Sequence, residues 1–186
     1  MTTIRLTGGD WNGRGVRVPA TAAVRPTLAR VRQSLFGILR EEIPEAHVLD
    51  CFAGSGVLGF ESLSRGAAHV TFIERNPKCL AALQESIHSF GAELKCQVIR
   101  GDVLHALRAH GSEIHGAAIA FVDPPYGAVP LRGIIDALDE VVVPTIIIEH
   151  ERREELMLSG SSYVVARRVD FGQTVLSILR QDREKE

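Results

Sequence analysis

The sequence is short of lysine, of aromatics and of cysteine. Of its 21 basic residues only Lys78, Lys95 and Lys185 are lysines, so positive charge rests almost wholly on arginine. Aromatics make up 5% of 186 residues, with one tryptophan, Trp11. The three cysteines, Cys51, Cys79 and Cys96, form no C-x-x-C pair, which argues against a disulfide frame or a zinc site and reads as reduced thiols. The histidines show neither H-x-x-x-H nor H-E-x-x-H spacing, so no metal is expected. No run of 18 apolar residues exists, which excludes a membrane-spanning helix. Residues 1–11 lack the apolar stretch of a secretion signal, so a cytoplasmic location is expected. What remains, 45% hydrophobic and 24% charged, suits one globular domain with a single sizeable core.

Charge is uneven. Residues 1–40 hold Arg5, Arg14, Arg17, Arg25, Arg30, Arg32 and Arg40 against one acid, Asp10. That local balance of +6 leaves −8 on the rest of a chain whose formal net charge is −2. A basic arm on an acidic body suits a polyanionic partner such as nucleic acid, because the planar guanidinium pairs bidentately with phosphate. The competing reading is a solvated surface whose arginines pair with acids of the body.

Two short β-prone stretches, Ile4–Leu6 and Val16–Val18, separated by Gly8-Gly9 and Gly13-x-Gly15, predict a small hairpin within residues 1–20. Arg25-Pro26-Thr27 then opens a helix, with Thr27 as its cap and Leu28, Val31, Leu35, Ile38 and Leu39 as its apolar stripe. Arg30 and Arg32 are read as lying outside that stripe, facing a ligand. From Ala46 onward strands and helices alternate. Strands are expected at Ala46–Asp50, His69–Ile73, Lys95–Arg100, Ala117–Val122 and Pro144–Glu149. Helices are expected from the glycine turn to about Arg65, from Asn76-Pro77 to about Phe90, at Val103–His110 and at Leu131–Glu140. This rhythm predicts an α/β fold with a parallel sheet covered on both faces. Ser162–Val169 and Thr174–Arg180 read as a closing antiparallel hairpin.

Gly54-Ser55-Gly56-Val57-Leu58-Gly59 fits G-x-G-x-x-G between a strand and a helix, and Glu74 ends the next strand 20 residues past Gly54. Such glycines let a ligand approach the backbone, and a carboxylate at the second strand end can accept from both ribose hydroxyls. Asp50, four residues before Gly54, separates the ligands that share this pattern. It would repel a pyrophosphate and attract the ammonium and sulfonium of S-adenosylmethionine. Asp102 can accept from an adenine amino group or cap the helix at Val103; the sequence supports both.

Strand four ends in Asp123-Pro124-Pro125-Tyr126. Two prolines stiffen the chain and leave nearby carbonyls unpaired. Asp123 and the Pro124 carbonyl can then accept both hydrogens of an exocyclic amino group, while Tyr126 offers a stacking ring. The amine is a poor nucleophile, so orientation and polarisation are what catalysis supplies.

Asp50–Gly59, Glu74 and Asp123–Tyr126 resemble the motifs of class I S-adenosylmethionine-dependent amino-methyltransferases. Arg25-Pro26-Thr27-x-x-Arg30-Val31-Arg32-x-x-Leu35-Phe36, Leu49–Gly59 and Glu61–Ala67 further resemble the bacterial 16S rRNA guanine-N2 methyltransferases of the RsmD type, and the resemblance spans essentially the whole chain. It implies a Rossmann-like, seven-stranded, mostly parallel sheet with a reversed C-terminal strand. Residues 1–24 would form a basic β-hairpin extension and 25–186 the methyltransferase domain. It implies methylation of one guanine N2 in the small ribosomal subunit or a late precursor; nothing in the sequence pattern demands a partner subunit, so a monomer is expected. Asp50, Gly54 and Gly56 would hold the methionine end of S-adenosylmethionine, Glu74 the ribose and Asp102 the adenine edge, with Ala53, Ser55, Arg75 and Val103 completing the cofactor site. Asp123, Pro124, Pro125 and Tyr126 would present the guanine, and Arg14, Arg17, Arg25, Arg30 and Arg32 would meet rRNA phosphates. The chain departs from the family at Leu28-Ala29, where polar residues ending in Asp are common, at Gln33 (commonly Glu) and at Gly37 (commonly Asn).

Three other readings compete. A nicotinamide-dependent oxidoreductase shares the glycine turn and Glu74 but leaves Asp50 and Asp123–Tyr126 unexplained. A DNA adenine-N6 or cytosine-N4 methyltransferase shares the tetrapeptide but would need a DNA-recognition domain that this compact layout lacks. A non-enzymatic RNA-binding assembly factor would not depend on Asp123. Trp11 can stack on RNA or pin the hairpin to the body. Cys51 is read as packing against the sheet and not as a nucleophile.

Overall fold

The computed structural model describes residues 2–19, 29–125 and 129–182. An antiparallel hairpin comes first, β1 (Thr2–Arg5) paired with β2 (Gly15–Val18). After α1 (Ala29–Ile38) the chain alternates through β3 (His47–Cys51), α2 (Val57–Ser64), β4 (His69–Glu74), α3 (Pro77–Phe90) and β5 (Cys96–Arg100). It continues through α4 (Val103–Ala109), the single turn α5 (Gly111–Ile114), β6 (Ile119–Val122), α6 (Leu131–Glu140) and β7 (Thr145–Glu151). A long hairpin of β8 (Tyr163–Phe171) and β9 (Thr174–Gln181) ends the described chain.

Local chemistry sets the element boundaries. Asn76 caps α3, its Oδ1 accepting from the Lys78 and Cys79 amides at 2.9 and 3.4 Å, and Pro77 supplies the fixed φ of the first helical position. The left-handed Gly91 (φ 64) closes the same helix. In α6, Leu131, Ile134, Ile135 and Leu138 recur at helical spacing, and all four are buried.

Seven strands form one sheet in the order β5-β4-β3-β6-β7-β9-β8. The pairs from β5 to β7 are parallel, and β9 runs antiparallel between β7 and β8. This is the Rossmann-like arrangement with a reversed C-terminal strand. One face packs against α1, α2 and α3 through Leu35, Phe36, Phe60, Leu83 and Phe90. The other packs against α4 and α6 through Ala106, Leu107, Ile134 and Leu138. Burial on both faces explains why the central strands read as apolar runs. The chain winds outward from β3 to β5 and then returns to β6 on the opposite side of β3. Helices diverge at that switch point and leave a crevice beyond the carboxyl ends of β3 and β6.

The hairpin shares the body's core. Leu6 and Val16 are buried in it, the Trp11 ring lies 4.7 Å from Phe90, and the Trp11 amide donates to Ser64 Oγ at 2.9 Å. Of the two roles open to Trp11, the structure has it pinning the hairpin. Two elements went unanticipated: α5 and a 3-10 turn at Glu93–Lys95. The expected cap Thr27 lies outside the described residues.

Candidate active site

β3 ends in Asp50 and Cys51, and the chain turns through Phe52, Ala53, Gly54 and Ser55 to Gly56, which opens α2. Phe52 adopts a left-handed conformation (φ 62) that is uncommon for an aromatic residue and marks how sharply the turn bends. The turn's glycines serve different purposes. Gly54 (φ 55) has open space where a side chain would project, with only the Phe52 carbonyl within reach at 3.9 Å. At Gly59 a Cβ would lie 2.2 Å from Phe72 Cε1, so that glycine lets α2 approach the sheet.

Carboxylates hold the turn. Asp50 is buried and accepts from the Gly59 amide through Oδ2 at 2.9 Å. Glu74 Oε2 accepts from the Gly54 amide at 2.7 Å, while its Oε1 accepts from the Arg75 and Asn76 amides at 2.8 and 2.7 Å. Burial above all pushes the Asp50 carboxyl up to about 8; the Gly59 amide opposes this, and the negative charges of Asp123 and Glu74 add to it. Three carboxylates, Asp50, Glu74 and Asp123, thus act on one another at this end of the sheet, and burial disfavours the ionised form of Asp50.

Asp102 caps α4, its Oδ1 accepting from the His105 amide at 3.2 Å, while its Oδ2 lies 3.7 Å from Arg75 Nη1. Capping is therefore one role it fills, with the second oxygen turned toward exposed Arg75. Ala53, Ser55 and Val103 are buried in the frame of the site. Cys51 is buried at the end of β3 and its thiol is pushed far up by burial, which keeps it a packing residue.

β6 pairs with β3 so that Val122 lies beside Cys51, and Asp123-Pro124 therefore leaves the sheet next to the glycine turn. Asp123 is half-buried, Pro124 buried and Pro125 exposed, whereas Tyr126 lies outside the described residues. Asp123 borders a small cleft whose walls are Leu35, Leu58, Phe121, Val122, Ile147 and Leu176, with Glu149 of β7 also lining it. Sequence reasoning gave Glu149 no role. The available signal was an acid directly following the apolar run Ile146-Ile147-Ile148 of β7.

The arginines divide. Arg30 is exposed in the first turn of α1. Arg17 pairs with Glu85 at 3.1 Å on the surface. Arg14 lies over the Phe90 ring at 4.2 Å and donates to the Ser89 carbonyl at 2.7 Å. Arg25 lies outside the described residues. Arg32 corrects the sequence reading, since it is 2% exposed and does not face outward. Its Nε donates to Glu61 Oε1 at 3.3 Å and its Nη2 to the Arg5 carbonyl at 2.8 Å. Glu61, fully buried on α2, also accepts from the Thr7 amide and hydroxyl at 2.8 Å each and from Arg65. A buried ionic knot thus ties β1, α1 and α2 together beneath the arginine-bearing surface.

Among the described residues no helix is long and apolar enough to cross a membrane, and no three His, Cys, Asp or Glu gather as a metal site. A family model described as Conserved hypothetical protein 95 matches residues 4–180. "Putative rRNA methyltransferase YlbH" of Bacillus subtilis is 31% identical over 182 residues, covering 96% of this chain and 99% of that protein. Ribosomal RNA small subunit methyltransferase D of Escherichia coli K12 is 39% identical over 137 residues, covering 74% of this chain and 67% of that one. The solved structure of Escherichia coli YhhF superimposes with a TM-score of 0.83 at 32% identity, covering 97% of this chain and 99% of that one. With a matching family model, relatives matched along most of their length and a shared fold, the chain belongs to the RsmD family of methyltransferases.

Proposed function

We propose that this protein transfers a methyl group from S-adenosylmethionine to the exocyclic N2 of a guanine in 16S rRNA, within the small ribosomal subunit or a late precursor. The observation that carries the reading is the β3–β6 register. It sets the acidic glycine turn and the rigid Asp123-Pro124 segment at one crevice. The names of the relatives supply the rRNA class.

The crevice fits a cationic cofactor. Burial raises the Asp50 carboxyl to about 8, so the group is largely protonated in the ligand-free protein, and a nearby ammonium or sulfonium would favour its ionised form. Asp50, Gly54 and Gly56, framed by Ala53 and Ser55, hold the methionine end. Glu74 takes the ribose, and Asp102 with Arg75 and Val103 the adenine. When bound, S-adenosylmethionine supplies an electrophilic sulfonium methyl group, and its transfer to N2 leaves a neutral thioether.

The protein's own part is orientation. Asp123 and the Pro124 carbonyl accept the two N2 hydrogens, and Pro125 keeps the segment rigid. Tyr126 stacks on the base and fixes its plane. Asp123 draws electron density toward N2 and accepts the one proton that N2 gives up as it gains the methyl group. Arg14, Arg17 and Arg30, with Arg25, contact rRNA phosphates, and Arg32 supports that surface from beneath. The protein acts as a monomer.

Transfer of radiolabelled methyl from S-adenosylmethionine tests the reading on three acceptors: unmethylated small subunits, naked 16S rRNA and duplex DNA. Label is expected in 16S rRNA or the subunit, and is lost in Asp123→Ala. Label in DNA alone, or in no acceptor despite cofactor binding, overturns the substrate assignment.

A further inference from the structure

Glu149 stands beside Asp123 in the same cleft, and the proposed mechanism gives it no task. β6 and β7 are parallel, with Val122 beside Ile148, so the next residues come side by side, Asp123 just past the end of β6 and Glu149 still within β7 opposite Leu176 of β9. Strand alternation puts both on one face: Asp123 follows Phe121 at a spacing of two, Glu149 follows Ile147, and both apolar residues belong to the core beneath α1 and α2. The cleft between them is walled by Leu35, Leu58, Phe121, Ile147 and Leu176. Two carboxylates thus border a narrow slot with apolar walls.

The cleft itself is too small to take a base, so the geometry fits a flat heteroaromatic ring lying across its mouth with an edge rich in N–H donors turned to the two carboxylates. Guanine presents such an edge, with two hydrogens on N2 and one on the neighbouring N1. Adenine carries a bare lone pair at N1 beside its amino group, and cytosine one at N3. Asp123 and the Pro124 carbonyl account for the amino group in every case, which is why the tetrapeptide alone does not distinguish the three bases. A second carboxylate beside the first does.

Resting on the guanine-N2 reading above, we propose that Glu149 is the specificity-determining residue of the cleft, its carboxylate accepting the guanine N1–H. Against adenine or cytosine the same carboxylate faces a lone pair, so a hydrogen bond is replaced by repulsion. Apolar walls strengthen both the attraction and the rejection.

Glu149→Gln keeps the shape and exchanges an acceptor for an amide that can also donate. The test uses reconstituted small subunits carrying either guanine or 2-aminopurine at the position that the wild-type enzyme labels. 2-Aminopurine keeps the N2 amine but has a bare N1. The wild type should prefer guanine by about ten- to a hundredfold in kcat/KM, the scale of one hydrogen bond to a charged acceptor. Glu149→Gln should lose guanine activity by a similar factor and gain on 2-aminopurine, reversing the preference, with S-adenosylmethionine affinity and melting temperature unchanged. Equal losses on both bases, or an unchanged preference, overturn this role for Glu149 while leaving guanine-N2 methylation intact. If the wild type forms no N2-methylguanosine at all, both readings fall.

Discussion

Replacing Glu61 with alanine tests how the hairpin and the arginine helix are held to the body. The side chain is fully buried, and its removal leaves Arg32, 2% exposed, without its carboxylate. Breaking a buried ion pair from one side costs about 3–5 kcal/mol, because the remaining charge stays desolvated. Arg65 is 18% exposed and can turn to solvent, so it adds little. The lost bonds to Thr7 fall on a half-buried residue that water can reach, so the total stays close to 4 kcal/mol, an order-of-magnitude value. For a domain of this size each kcal/mol moves the melting temperature by about 2–4 °C, which gives a fall of roughly 8–16 °C. Two probes separate local from global loss. Trp11 is the only tryptophan and sits against Phe90, so its fluorescence reports hairpin docking, whereas far-ultraviolet circular dichroism follows the sheet and helices. In Glu61→Ala the fluorescence transition should precede the dichroism transition. The double variant Arg32→Met, Glu61→Leu removes both charges and should recover most of the stability. A loss below 1 kcal/mol in the single variant, with coincident transitions, would refute the claim that this knot holds the hairpin.

Other outcomes follow from the same geometry. Asp50 is raised by burial to about 8, so in the ligand-free protein its contribution to stability is present at low pH and is lost as pH rises from about 4 toward 8. A cationic ligand selects the ionised form, so S-adenosylmethionine should bind more tightly as pH approaches 8 and release a proton below it; calorimetry in buffers of differing ionisation enthalpy measures this, and Asp50→Asn should abolish it. Gly59→Ala pushes a methyl group into Phe72, and should cost about 1–3 kcal/mol in urea unfolding. Neutralising the exposed Arg30 should weaken rRNA binding and lower the slope of log K against log salt by about one, with cofactor affinity unchanged. An unchanged slope would remove α1 from the RNA interface.

Much of the fold was legible because its boundaries are chemical. Asn76-Pro77 and Gly91 announce both ends of α3, and the glycine turn announces the passage from β3 to α2. The position of Asp123 at the switch point followed from counting alternating elements. The sequence reading sets Arg32 outside the apolar stripe, and the structure buries it. By spacing it belongs with Leu35, Phe36 and Leu39 on the buried stripe, and what permits its burial is Glu61, 29 residues away, together with a backbone carbonyl of the hairpin. Such partners appear only when the chain is folded. Glu149 was hidden for a similar reason, since its neighbour Asp123 lies on another strand and only the β6–β7 register brings them together. Trp11 and Asp102 each have two readings in the sequence; local geometry has Trp11 pinning the hairpin, and has Asp102 capping α4 through one oxygen while the other stays available.

The central claim is tested most directly by identifying the modified nucleoside. Small subunits from cells lacking the enzyme would be incubated with it and with methyl-labelled S-adenosylmethionine, and the 16S rRNA digested and resolved by mass spectrometry. One labelled nucleoside, N2-methylguanosine at a single position, is the expected result. It should vanish in Asp123→Ala while that variant still binds S-adenosylmethionine. Label on an adenine or cytosine amino group, or N2-methylguanosine undiminished in the Asp123 variant, would contradict the account.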